Sequence, residues 1–215
     1  MDVKTYMSTD MVTISPETTV IEALDLMKEH DIHRLPVVVD GHLVGLVTEE
    51  IIARNSPSTA TSLSVHELNY LLNKTTAKDI MIKQVVTVHK DTLLEEAAVL
   101  MRTKNIGVLV VVEDQNKLLG IITDKDIFDA FVDILGYYTP GSRLVIEITE
   151  DRKGTLEDIS SIMKNNDINI TQIAVYHQEG AIMVVLQVES QQPDEVADLL
   201  AQKNYKVVSA VKKRA

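Results

Sequence analysis

The sequence predicts an α/β (α+β) protein: two copies of one small domain packed about a pseudo-twofold axis, followed by a unit of βαββαβ order. Three observations carry this. The 215-residue chain repeats itself, residues 3–40 matching 77–114 at an offset of 74 and 43–52 matching 118–127 at an offset of 75. The repeat is longer than a solenoid layer, so each copy is a domain. Hydrophobic residues make up 45% and charged residues 25%, as in globular chains. Aromatics are only 4%, with no Trp, so the core is built from Val, Ile, Leu, Ala and Met, which suits sheets backed by helices.

Each copy reads as strand, helix, strand, strand, helix. The identities run through it in order, among them Met7/Met81, Val12/Val86, Thr13/Thr87, Ala23/Ala97, Met27/Met101, Gly45/Gly120 and Thr48/Thr123. Val20, Ala23, Leu24 and Met27 recur at helical spacing, as do Leu94, Ala97, Ala98 and Met101, where Thr92 and Glu95 suggest a capping box. Leu35 to Val39 and Leu43 to Val47 flank Asp40-Gly41, a pair that favours positive φ and so predicts a hairpin. In the second copy a longer polar loop, Glu113 to Lys117, takes its place. About 50 residues per copy is marginal for independent stability, so the copies should pack on each other. The predicted boundaries are 1–54 for the first copy, 55–76 for a linker, 77–135 for the second copy and 142–211 for the last unit. In the linker, Ser64 and Glu67 cap a helix with Leu68, Leu71 and Leu72 on its apolar face.

The last unit follows Gly136 to Gly141. Arg143 to Ile148 reads as a strand, and Leu156, Ile159 and Met163 mark a helix face. Ile168 to Tyr176 and Ala181 to Val188 are strands around a turn, Pro193 to Gln202 is a helix, and Lys206 to Val211 is a strand. The order βαββαβ implies a ferredoxin-like sandwich with one sheet face covered by helices and the other needing a partner.

Composition excludes several functions. The net charge of −11 repels nucleic-acid phosphates, and residues 1–141 alone carry −9. The absence of Cys removes disulfides, thiolate metal sites and cysteine nucleophiles. No apolar run approaches the roughly 20 residues of a membrane span, and no signal-peptide core follows Met1, so a cytoplasmic location is expected. Phosphate-loop, dinucleotide, nucleophile-elbow and zinc-protease motifs are missing, so no enzyme and no catalytic cofactor is expected.

The chemical signal is Gly120-Ile121-Ile122-Thr123-Asp124-Lys125-Asp126. A strand ends, Thr123 caps the next helix, and its first N–H groups offer an anion site. Asp126 can accept both hydroxyls of a ribose, or can act simply as the partner in a capping box. The first copy has Gly45-Leu46-Val47-Thr48-Glu49-Glu50-Ile51, and Ile51 cannot accept a hydroxyl. His33-Arg34 opens a strand, either as a solvated end or as a cationic wall, and Arg suits phosphate because its planar fork binds bidentately. The equivalents, Gly107-Val108, offer no charge. His30 and His33 lack the further ligands that a metal needs. Met7 and Met81 read as core residues.

These motifs, with His33-Arg34-Leu35-Pro36-Val37, resemble a CBS-domain tandem (a Bateman module). Asp151-Arg152-Lys153-Gly154-Thr155-Leu156 followed by Asp167-Ile168-Asn169-Ile170 resembles an ACT domain. Two CBS copies followed by ACT is the arrangement of AcuB-like acetoin-utilisation proteins. The resemblance implies a regulatory sensor that binds an adenine nucleotide (AMP, ADP or ATP) in the cleft between the copies. Thr123 and Asp126 would hold phosphate and ribose, with Asp124 and Lys125 between them and Thr48 as the first-copy counterpart. His33 and Arg34 would reach phosphate, and Val12, Thr13, Val86 and Thr87 would face adenine. It also implies a homodimer, and places any amino-acid ligand of the last unit at Asp151, Gly154 and Asn169. With so few aromatics, adenine should lie between aliphatic walls. One competent site per chain is expected, with the site containing Ile51 weak or vacant.

Overall fold

Asp40 and Gly41 both adopt positive φ, 50° and 79°, which is the backbone a two-residue hairpin needs. They join β1 (Arg34–Val39) to β2 (His42–Thr48), paired antiparallel. The computed structural model describes residues 1–55, 72, 74–150, 152–178 and 180–213. The chain divides into two units, 1–127 and 128–215.

In the first unit α1 (Val20–Glu29) precedes β1, and α2 (Glu49–Asn55) follows β2. The second copy runs α3 (Ala77–Ile80), β3 (Thr87–His89), α4 (Leu94–Lys104), β4 (Val108–Glu113), β5 (Lys117–Thr123) and α5 (Asp124–Ile134). The strands form one sheet in the order β1-β2-β5-β4-β3, in which β2 and β5 meet at His42 and Lys117. Val20, Ala23 and Met27 of α1 are buried against Leu35, Val37 and Val47, so the helical spacing in the sequence does mark the inward face. The predicted linker helix falls within 56–71, outside the described residues apart from its end, where Leu72 packs on the first core.

Two sequence expectations are corrected. The opening strand is present in the second copy, where β3 pairs parallel with β4, but the first copy has only a bridge from Ile14 to Val37. The reason is Pro36: its counterpart Val110 donates its N–H to Val86 O at 3.4 Å, and proline has no N–H to give. The capping box of Thr92 with Glu95 does not form. The helix starts one residue later, its N-cap is Leu93, and the contact made is Leu93 N to Glu96 Oε2 at 3.4 Å. In the first copy Thr19 occupies that position and forms a full box, its N–H donating to Glu22 Oε2 at 2.8 Å and its hydroxyl accepting from Glu22 N at 3.3 Å.

The copies interlock reciprocally. Ser8 bridges Ile121 while Ile82 bridges Leu46, and Asp2 bridges Leu93 while Thr76 bridges Thr19. Each pair maps onto the other under the repeat offset, as a pseudo-twofold relation requires. Gly45 and Gly120 have the same explanation. A Cβ on Gly120 would lie 2.6 Å from Ser8 O and 3.1 Å from Met7 Sδ, and one on Gly45 would collide with the thioether of Met81. The repeated Met and Gly are thus two halves of one contact made twice.

In the second unit β6 (Ser142–Ile148), α6 (Thr155–Asn165), β7 (Ile170–Gln178), β8 (Ala181–Val188), α7 (Pro193–Ala201) and β9 (Lys206–Lys212) follow the βαββαβ order. The antiparallel sheet runs β7-β8-β6-β9. Leu144, Ile146 and Ile148 of β6 alternate inward and meet Ile159 and Met163 of α6 and Val196 and Leu200 of α7. Near its end the chain is tied back by Lys213, whose ammonium donates to the Gly136 and Thr139 carbonyls.

Candidate functional site

The interlocking leaves two cavities between the copies, of about 650 and 640 Å³, related by the same pseudo-twofold. The first lies between the segment leading into β1 and the start of α5. Met11, Val12, Ile32, Pro36 and Ile121 supply aliphatic walls, and Thr123, Asp124 and Lys125 the polar edge. The second lies between the segment leading into β4 and the start of α2, with Val85, Val86 and Ile106 against Thr48, Glu49 and Ile51. Among the described residues no Phe or Tyr lines either cavity.

Thr123 stands where β5 gives way to α5, with its side chain at the cavity edge. Its N–H and hydroxyl both donate to Asp126 Oδ2, at 2.7 and 2.8 Å, and the hydroxyl accepts from Asp126 N at 3.4 Å. The capping role of Asp126 is therefore real. One oxygen carries both bonds, and Asp126 itself stands behind the cavity lining rather than in it. The first copy keeps half of this arrangement, with Ile51 N donating to Thr48 Oγ1 at 3.2 Å. Ile51 does line its cavity and puts an apolar surface at the edge.

His33 and Arg34 line both cavities. His33 Nδ1 contacts Glu49 Oε2 at 2.9 Å, and Glu49 N donates to His33 O at 3.1 Å, so the histidine is fastened to the start of α2. Arg34 is half-buried and has no hydrogen-bond or ion-pair partner among the described residues. Its Nη2 lies beside Gly107, where a Cβ would come within 3.3 Å of it and within 3.2 Å of Asp124 Oδ2.

Of the residues the sequence singles out, Val12, His33, Arg34, Thr123, Asp124 and Lys125 come together at the first cavity, and Thr48 and Val86 at the second with His33 and Arg34. Thr13 is exposed and lines neither, and Thr87 is taken up in β3. Sequence reasoning missed Asp31 and Asn105. They share a left-handed backbone, φ 52° and 53°, at the repeat-equivalent position, and each borders one cavity. Asp and Asn recurring at a helix end was the signal that could have found them.

In the second unit a cavity of about 400 Å³ lies at the start of α6, with Gly154, Arg152, Leu156, Val175 and His177 around it. Asp151 lies outside the described residues. Asn169 does not line this cavity, and its carbonyl accepts from Glu189 N at 3.1 Å. Arg152 is already engaged with Asp158 at 2.5 Å, and its proton is held more tightly because of that carboxylate. Among the described residues no helix is long and apolar enough to cross a membrane.

Comparison with known proteins agrees with the first unit. The family model described as CBS domain matches residues 3–58 and 77–133. An inosine-5′-monophosphate dehydrogenase of Korarchaeum cryptofilum is 33% identical over 187 residues, 83% of this chain and 34% of the enzyme, so the match spans about a third of that enzyme's length. The crystal structure of CBSX2 in complex with AMP is similar at a TM-score of 0.52 and 29% identity, covering 62% of this chain and 97% of that one. A protein from Vibrio cholerae described in terms of acetoin utilization (AcuB) has a TM-score of 0.52 at 28% identity, covering 64% of this chain and 95% of that one.

Proposed function

Because this chain belongs to the CBS-domain family, we propose that it is a regulatory ligand sensor, not an enzyme, that binds an adenine nucleotide in the cleft between its two copies. The first cavity is the competent site. Adenine lies between the aliphatic walls at Val12, Ile32 and Ile121, and phosphate meets Arg34 rather than the start of α5, where the N–H groups of Asp124, Lys125 and Asp126 are already donated to Gly107 O, Asp124 Oδ1 and Thr123 Oγ1. Ribose meets the free oxygen of Asp126 at the edge marked by Thr123. The observation that carries this reading is Arg34, a half-buried guanidinium without a partner among the described residues, at the edge of a cavity large enough for a nucleotide. AMP in the similar CBSX2 structure supports the ligand class. The second cavity, with Ile51 at its edge, is the weaker one, and a buried hydroxyl left without an acceptor costs about 1–3 kcal/mol.

We propose the domain boundaries 1–54, 77–135 and 142–211, with 55–76 as a linker and the last unit as an ACT-like module. Homodimerisation is supported by Phe128 and Phe131 of α5, 65% and 60% exposed in a chain with only two Phe. Similarity to AcuB supports a role in acetoin or carbon metabolism. A signal follows only if two arrangements of the protein bind the nucleotide with different affinity. A second reading, an amino-acid or protein ligand on the last unit with the cleft empty, is favoured by the cavity at Gly154.

Thermal-shift measurements with AMP, ADP, ATP and amino acids separate the two. Stabilisation by an adenine nucleotide that disappears in Asp126→Ala is expected. Stabilisation by an amino acid alone, or an unchanged nucleotide response in that variant, overturns the site assignment.

A further inference from the structure

We infer that Arg34 is shared by the two cavities, so that the chain binds phosphate-bearing nucleotides anticooperatively: a phosphate held in one cavity weakens binding in the other. This rests on the nucleotide reading above and adds a regulation to it.

The two cavities are pseudo-symmetric in shape but not in charge. Under the repeat, His33-Arg34 corresponds to Gly107-Val108, and Val108 is a buried aliphatic residue. The absence of a side chain at Gly107 leaves room beside it for the Arg34 guanidinium and the Asp124 carboxylate, since a Cβ there would lie 3.3 Å from Arg34 Nη2 and 3.2 Å from Asp124 Oδ2. One cation therefore stands at the boundary of both cavities where a symmetric protein would have two.

The other charges do not replace it. Lys125 borders only the first cavity, and Arg54 only the second. Arg54 is already engaged by Glu50 at 2.5 Å, and His33 by Glu49 at 2.9 Å. When Arg34 turns to a phosphate in the first cavity, the second keeps Glu49 and Glu50 against Arg54 and repels a second phosphate. A charge-assisted hydrogen bond contributes enough that its loss corresponds to about tenfold or more in affinity. The coupling is reciprocal, so the order of filling does not matter.

Inequality alone does not prove sharing, because Ile51 already weakens the second cavity. That defect acts on the sugar, and so weighs equally on adenosine and AMP. Sharing of Arg34 acts on the phosphate alone. Calorimetric titration of the full chain should show two AMP steps whose affinities differ by about tenfold more than those of adenosine. Arg34→Gln should remove the excess and leave the adenosine ratio unchanged. Val108→Arg should supply the missing guanidinium and strengthen the second AMP step. The same ratio for AMP and adenosine in the unmodified chain, or an excess of the AMP ratio over the adenosine ratio that survives Arg34→Gln, overturns the sharing while leaving the nucleotide reading intact. No heat and no stabilisation with either ligand overturns the nucleotide reading itself, and the sharing with it.

Discussion

The two cavities differ by only about 10 Å³, yet their edges are chemically different. The first has Thr123, Asp124 and Lys125 at its helix start, backed by the carboxylate of Asp126. The second has Thr48, Glu49, Glu50 and Ile51. Duplication preserved Gly45 and Gly120, Thr48 and Thr123, and the left-handed Asp31 and Asn105, and let the side chains at the cavity edges diverge. The difference teaches that the contacts by which the copies interlock are kept in both halves, while the charge and hydrogen-bonding groups at the cavity edges are not.

Substitutions break or sharpen that comparison. The largest effect is expected from Arg34→Ala, which should weaken AMP by roughly 10–100-fold through loss of a charge-assisted contact while leaving adenosine nearly unchanged, as calorimetry would show. Next is Gly120→Ala. Its Cβ meets the Ser8 carbonyl at 2.6 Å, and backbone yields little, so a loss of about 1–3 kcal/mol in urea unfolding is expected. Gly45→Ala should cost less, because Met81 can move its flexible thioether aside. A smaller effect tests the unequal helix starts. Thr19→Ala should lose about 1 kcal/mol, and Leu93→Thr, which gives α4 the cap α1 already has, should gain about 0.5–1 kcal/mol in the same experiment.

The smallest concerns acid. The Glu22 carboxyl is held below its usual range by the Thr19 N–H and then by its hydroxyl, and Asp79 is held down in the same way by Thr76. Depressed carboxyl pKa values give stability that is present above the unfolded values and lost as pH falls through the folded ones. Unfolding midpoints should therefore drop on acidification below about pH 4.5, less steeply in Glu22→Gln.

Much of the framework was legible because periodicity reports burial. The alternation in β6 and the spacing in α1 name the buried residues directly, and Asp40-Gly41 names its turn. What was not legible depends on pairing between distant segments. Pro36 leaves the first copy a single bridge at Ile14 in place of an opening strand by withholding an N–H, an effect visible only when the partner strand is known. Thr92 looked like a cap because threonine favours that position, but the interlocked copies fix the helix start at Leu94 and put Leu93 there instead. At the candidate site, the residue types of Arg34, Thr123 and Asp126 could be read from the motif. That a single Arg34 borders both cavities could not, because its closeness to Gly107 of the other copy depends on how the two copies pack.

The most direct measurement is a crystal structure of the full chain grown with AMP. The account predicts the nucleotide in the first cavity, its phosphate on Arg34 and its ribose at Asp126, with the second cavity empty or less occupied. AMP in the second cavity alone, or in both at equal occupancy with Arg34 turned to neither, would contradict it.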